Sequence, residues 1–229
     1  MRQIRVLSVF VALWGLAGSA AAQTPAAARP STPAAAPAAS DRGVFVGATA
    51  GGASVQNVGG LFGGELGFRV TDQIDVFGEG LWMEDVVSRR RLAVATTIGA
   101  FLQTSQGKPA TGTVVAPASY GGAGVRYSFM TKGHVRPYVA VSVGGAHIAF
   151  KPTFTLSGSD VTSSLGQYGV TIGSDLTGEI TRPAVSGGVG VRFVRARWYV
   201  DGGVRVIGVR TTDQATNVLC ASASFGFKF

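Results

Sequence analysis

Three features of the 229-residue sequence predict an all-β chain that closes into an eight-stranded antiparallel transmembrane β-barrel, with a short helix in one long extracellular loop. From Gly43 onward the residues alternate with a period of two, the signature of strands with unlike faces. The connections between these runs alternate between tight turns and long loops, the lopsided arrangement of a barrel that crosses a membrane. Within each run one face is apolar while the other carries charge, so the chain has a greasy side with no matching greasy interior.

Composition sets the limits. Charged residues make up 14% of the chain, 34 residues are Gly, and the mean hydropathy is +0.30. That is too apolar for disorder and too glycine-rich for a helical bundle. The first 22 residues carry Arg2 and Arg5, an apolar run from Val6 to Ala17, then Ser19 to Ala22, the layout of a signal peptide cut after Ala22. Residues 23–42, almost all Ala, Pro, Ser and Thr, read as an extended periplasmic linker, because such a segment buries too little surface to offset its ordering entropy. Residues 43–229 are left for the barrel. The formal charge of +8, two lower once Arg2 and Arg5 are removed, does not signify nucleic-acid binding, since the chain is exported and its basic residues form no single stripe. One cysteine, Cys220, excludes a disulfide scaffold.

The alternating runs fall at about 43–54, 59–70, 73–84, 115–129, 135–150, 183–194, 198–211 and 218–229. The second, fourth and sixth connectors are short, around Asp72, Gly133 and Ala196, whereas the third and fifth span about 85–114 and 151–182. An even count returns the last strand to the side of the first, so the ring can close and leave no unpaired edge in lipid.

Face assignment follows from parity. Phe62, Leu66, Phe68 and Val70 lie opposite Glu65 and Arg69; Val139, Val141 and Val143 lie opposite Arg136, Tyr138 and Ser142; Val185, Val189, Val191 and Phe193 lie opposite Ser186 and Arg192; Trp198, Val200, Val204 and Val206 lie opposite Asp201 and Arg205. A soluble lipocalin-like barrel would have to bury Glu65, Glu79, Arg126, Arg192, Asp201 and Arg205 together. Facing a narrow lumen, Glu65, Glu79 and Asp201 can instead pair with Arg126, Arg192 and Arg205 in a packed network. Aromatics near the run ends, Trp82, Tyr127, Phe129, Tyr138, Phe150, Trp198 and Tyr199, are expected in interfacial girdles.

The long loops hold few chemical signals. Residues 88–103 satisfy helical and strand periodicity alike, and the even strand count favours a loop helix. Arg89, Arg90 and Arg91 stand at the outer end of the third run, where guanidinium forks would meet lipopolysaccharide phosphates. His134 falls in a turn; His147 shares the lipid face with Val143 and Gly145, the placement a Ser/His hydrolase acting on lipid would need, with no compact motif around it. The "GGAGVR" and "GGVGVR" stretches lie within strands, with no helix after them to make a phosphate loop. Two separated His and one Cys make no metal site, so no catalytic, metal or cofactor-binding residue is assigned and no cofactor is expected.

The alternating strands, the signal segment and linker, and the terminal "SASFGFKF" resemble the small outer-membrane β-barrel family that includes OmpA-like and OmpX-like barrel domains, over about 43–229. The long third and fifth connectors depart from its shortest members. The resemblance implies that Phe225, Phe227 and Phe229 form the signal read by the barrel assembly machinery. It also implies an outer membrane of Gram-negative type, both termini in the periplasm, and outer-membrane lipid and lipopolysaccharide as surroundings, with no nucleic acid. A monomeric, non-enzymatic barrel with a plugged lumen is the leading expectation, structural or interacting through its loops. The alternatives are an enzyme acting on lipid A or phospholipid, and a narrow channel.

Overall fold

The computed structural model describes residues 43–173, 176–210 and 215–229; the expected signal peptide (1–22) and linker (23–42) lie outside them. Eight long strands form the barrel: β1 (Val44–Ser54), β2 (Val58–Arg69), β3 (Ile74–Met83), β5 (Ala118–Ser128), β6 (Val135–Leu156), β8 (Gly178–Arg195), β9 (Trp198–Arg210) and β10 (Ala215–Lys228). Each pairs antiparallel with the next, and β1 pairs with β10 from Phe45 opposite Lys228 to Ser54 opposite Leu219, which closes the ring. Closure satisfies every barrel strand on both edges, the condition for standing in lipid. Among the described residues no helix is long and apolar enough to cross a membrane. We call the end with the tight turns and Phe229 the terminal end, and the opposite one the loop end.

The face assignment holds strand by strand. Phe62, Leu66, Val141, Val143, Val185 and Val189 point outward and are more than half exposed, while Glu65, Ser142, Ser186, Arg192 and Asp201 are buried inside. An apolar surface this continuous is unstable in water and natural against acyl chains. Phe62 stacks on Trp82 at 6.3 Å toward the loop end, and Phe193, Trp198, Phe225 and Phe227 run in ring contact around the terminal end. Tyr127 and Phe129 join that second belt.

Tyr138, Tyr199 and Phe150 do not join either belt. All three are buried, because each has inward parity: Tyr138 is in step with Ser142, Tyr199 with Asp201, and Phe150 with Ile148. Proximity to a strand end does not turn a side chain outward; only parity does. Tyr199 lies across the Gly47–Gly226 pair, where a Cβ on either glycine would collide with its ring or hydroxyl. Small residues there make room for a lumenal aromatic.

Two strands outgrow the membrane. β6 has 22 residues and β8 has 18, against about 9–11 for a crossing. Both therefore run further toward the loop end than the 135–150 and 183–194 runs suggested. The fourth run is cut differently, at Ala116 and Pro117: β4 (Ala110–Val115) pairs with the extension of β6, and β5 begins only at Ala118. Proline lacks the ladder N–H and pushes the preceding residue off the strand path. The two-residue β7 (Ser159–Asp160) pairs with the tip of β6. The Asp160 carboxylate accepts from the Thr162 N–H at 2.8 Å, and its bonds with Thr162 hold the carboxyl below the usual range.

The helix is real: α1 (Arg89–Gln106) is ended by Gly107 in the left-handed region, φ 62°, whose N–H returns to the Gln103 carbonyl at 3.0 Å. It packs on β4, with Gly99 seated on the Thr111–Gly112 backbone and Gly112 against the Ala95 carbonyl. The Asp85 carboxylate ties the loop's two ends, accepting the N–H groups of Val87 and Ala116 at 3.0 Å each.

Candidate functional site: the lumen and the loop-end surface

The lumen is built in two layers. Toward the terminal end β2, β3, β5, β8 and β9 each contribute inward charges. Glu65 accepts from the Arg126 Nη2 at 2.5 Å, the Arg192 Nη2 at 2.6 Å and the Tyr199 hydroxyl at 2.9 Å. Asp201 accepts from the Arg192 Nε at 2.9 Å and the Tyr138 hydroxyl at 2.6 Å. Glu79 bonds Arg205, and accepts from the Ser142 hydroxyl at 2.8 Å, which in turn pairs with the Tyr120 hydroxyl. The six charges singled out in the sequence line the lumen in two bonded groups, Glu79 with Arg205 in one, and Glu65, Arg126, Arg192 and Asp201 in a larger set.

That set has members the parity argument did not single out. Asp75 bonds the Arg69 Nε at 3.1 Å and lies 3.8 and 4.0 Å from Arg192 and Arg126. Its inward parity with Glu79 was the available signal. The Arg126 guanidinium also sits 4.8 Å from the Phe77 ring centre and 4.9 Å from that of Tyr138, and Arg192 sits 4.0 Å from that of Tyr199. Rings facing cations add attraction where desolvation is most costly. Between these groups the cavity is about 10 Å³, room for at most one water.

The second layer is apolar. Leu61, Leu81, Met83, Ile207, Val218 and Cys220 fill the lumen toward the loop end, and this core continues without a break into Val87, Ala95, Leu102, Val114 and Phe154 under α1. Leu165 and Leu176 from the 157–177 connection pack on the same core. The long loops are thus a folded cap whose core is continuous with the barrel's. The lumenal parity of Leu61 and Leu81 was readable in sequence; the joining of two distant loops over them was not.

On the cap, Arg89 and Arg90 are exposed in the first turn of α1, and the Arg91 guanidinium lies 4.0 Å from the Phe150 ring centre. The helix has no acidic residue in its first turn and no side-chain bond from Ser88 at its N-terminus. Three cations at the positive end of a helix dipole oppose each other and the dipole.

On the outer wall, His147 of β6 is exposed and sits beside Thr181 and Glu179 of β8. Its Nδ1 is 3.0 Å from the Thr181 Oγ1, and its Nε2 3.4 Å from the Glu179 Oε2. Ser119 is its partner across the β5–β6 ladder. A hydroxyl, an imidazole and a carboxylate therefore stand side by side above the belt of Val143 and Val185. Glu179 and Thr181 fall in the region where β8 exceeds the sequence-based run, which is why sequence reasoning missed them. His134, by contrast, bonds the Val194 carbonyl at 3.0 Å in a turn. Phe225, Phe227 and Phe229 are exposed on the outward face of β10 and at the chain end. Among the described residues no group of His, Cys, Asp and Glu is arranged to hold a metal.

This geometry defines a closed eight-stranded barrel of the outer-membrane class. Among solved structures the chain is similar to Neisserial surface protein A, NspA, with 16% identity over 83% of this chain and 98% of that one, at a TM-score of 0.50. Matches at lower scores include Ail of Yersinia pestis bound to the heparin analogue sucrose octasulfate (10% identity, 82% and 97% covered, TM-score 0.44). The outer membrane enzyme PagL also matches (14% identity, 80% and 97% covered, TM-score 0.38). No family model and no curated protein sequence matches the chain. The fold is that of the small outer-membrane β-barrels.

Proposed function

We propose that the chain is an integral outer-membrane protein with a plugged lumen that acts through its folded loop-end cap and not through a pore. The lumen carries this reading: a polar layer with about 10 Å³ of free space lies beneath an apolar layer continuous with the cap. A solute would have to break the Glu65–Arg126–Arg192 set and then cross a dry core, two barriers in series. An even strand count with tight turns on the side of Phe229 supports an orientation with both ends of the barrel in the periplasm and the cap outside. There Phe225, Phe227 and Phe229 are available to the assembly machinery, and Arg89, Arg90 and Arg91 stand at the height of lipopolysaccharide phosphates. In planar bilayers the purified chain is expected to give no steady openings of porin size; such openings would overturn the plugged reading.

A second reading is carried by the His147 cluster. With its imidazole between a hydroxyl and a carboxylate at the wall, the barrel could cleave an acyl ester of a lipid. The hydroxyl oxygen attacks the carbonyl carbon as His147 takes its proton, the proton passes to the leaving alcohol, and water then releases the fatty acid. Incubation with acyl-labelled lipopolysaccharide tests both readings at once. Binding that falls in Arg89→Gln/Arg90→Gln with no fatty acid released supports the non-enzymatic cap; release by the parent that His147→Ala abolishes establishes the enzyme.

A further inference from the structure

We infer that the terminal end carries a binding site for one anionic glycerophospholipid, on the rim where β9, β10 and β1 meet. The inference rests on the outer-membrane reading above. A cavity of about 660 Å³ opens at this rim, on the terminal side of the lumenal network and touching it through Arg69 and Phe45, and Arg69, Arg197, Lys228, Phe45, Phe227 and Phe229 line it. That volume suits a lipid headgroup with its glycerol.

The lining is of two kinds. Arg69 and Lys228 have lumenal parity and Arg197 stands in the tight 196–197 turn, so cations face the cavity from the inner side. Phe227 and Phe229 lie on the lipid side, about 48% and 80% exposed, and Phe225 continues the aromatic ridge down the wall with its ring centre 5.1 Å from that of Phe227. A cavity that is cationic toward the lumen and aromatic toward the acyl chains matches an amphiphile with a negative head. The Lys228 N–H donates to the Arg197 carbonyl at 2.8 Å, which holds the backbones of two cations together.

Charge selects the head. The described lining holds three cations, Arg69, Arg197 and Lys228, and no Asp or Glu, so even with Arg69 bonded to Asp75 the lining carries an excess of positive charge. Around the rim Arg195 faces outward beside the 196–197 turn and Lys132 is exposed in the 129–134 turn, against one exposed carboxylate, Asp72, in the turn after Arg69. A phosphoglycerol head brings only negative charge to these groups. A phosphoethanolamine head brings an ammonium as well, which the same cations repel. A soluble phosphate would leave the aromatic ridge unused, whereas a lipid lays an acyl chain along it.

The full chain, reconstituted in equimolar phosphatidylglycerol and phosphatidylethanolamine and then extracted in mild detergent, tests the site through the lipid that stays bound. The parent is expected to retain phosphatidylglycerol in roughly five-fold preference per contributing cation. The preference should shrink in Arg197→Gln and vanish in Arg197→Gln/Lys228→Gln. Arg197→Gln lies in an exposed turn away from Phe229, so it keeps the test open if the double variant assembles poorly. Equal retention of the two lipids by the parent, an unchanged preference in both variants, or complete displacement by millimolar inorganic phosphate would each overturn the site. A chain with no heat-modifiable gel mobility that retains neither lipid would instead count against the outer-membrane reading.

Discussion

Replacing Glu65 by alanine is expected to lower the barrel's stability by about 3–5 kcal/mol, the cost of leaving buried charge without its partner. Glu65 is the hub of the polar layer: its two oxygens serve Arg126, Arg192 and Tyr199 within 2.9 Å, and it is buried. Alanine strands Arg126 most severely, because Glu65 accepts its guanidinium hydrogen bond, while Asp75 is 4.0 Å away and already bonds Arg69, and Asp201 acts on it only through its charge. Arg192 suffers less, since Asp201 remains on its Nε at 2.9 Å. Glu65→Leu combined with Arg126→Met is therefore expected to recover much of the loss, as an apolar pair of similar volume removes both the charge and its need. Urea titration of the folded barrel in lipid vesicles, followed by the emission of Trp82 and Trp198, reads the effect. A loss below about 1 kcal/mol would show that the network is a passenger and that lipid-facing packing holds the barrel.

The hub was legible in sequence because period two is a strong signal when lipid sorts the faces. Glu65 and Arg192 could be assigned inward without knowing their partners, and the partners then followed from a narrow bore. Tyr138 and Tyr199 were misplaced for an instructive reason. Their positions near strand ends suggested girdles, while their parity said lumen, and the buried result shows that parity outranks position. The cap was less legible. Residues 88–103 mix β-branched residues with Gly99, so neither period dominates, and the six-residue β4 is hidden against Pro117. Both elements take their form from tertiary contact: α1 covers β4, and β4 has an edge to pair with only because β6 runs past the membrane. Neither condition can be read from a local window. The His147 cluster was half legible for the same reason, since His147 had the right parity but Glu179 and Thr181 join it only through the extended β8 ladder.

Gly112→Val is expected to detach α1 from the cap while leaving the barrel closed. A Cβ at Gly112 would sit 2.9 Å from the Ala95 carbonyl carbon and 2.8 Å from the Phe154 ring, against backbone on one side and a fully buried side chain on the other. Neither can yield easily, and such overpacking typically costs about 1–3 kcal/mol. Valine is a better strand residue than glycine, so β4 itself gains and the loss reports the helix contact alone. The barrel ring does not include β4, and its closure through β1 and β10 lies elsewhere. Trypsin added to intact cells should therefore cut the variant at Arg89–Arg91 or Lys108 at least about five-fold faster than the parent, as about 1 kcal/mol of lost packing, the low end of that range, raises the open population that much. The heat-modifiable gel shift should persist. An unchanged cleavage rate would mean that the Gly99–Gly112 contact does not hold the cap. Cleavage seen only after the cells are broken would place the loop end on the periplasmic side, because the protease reaches the helix only from the face of the membrane on which the cap stands.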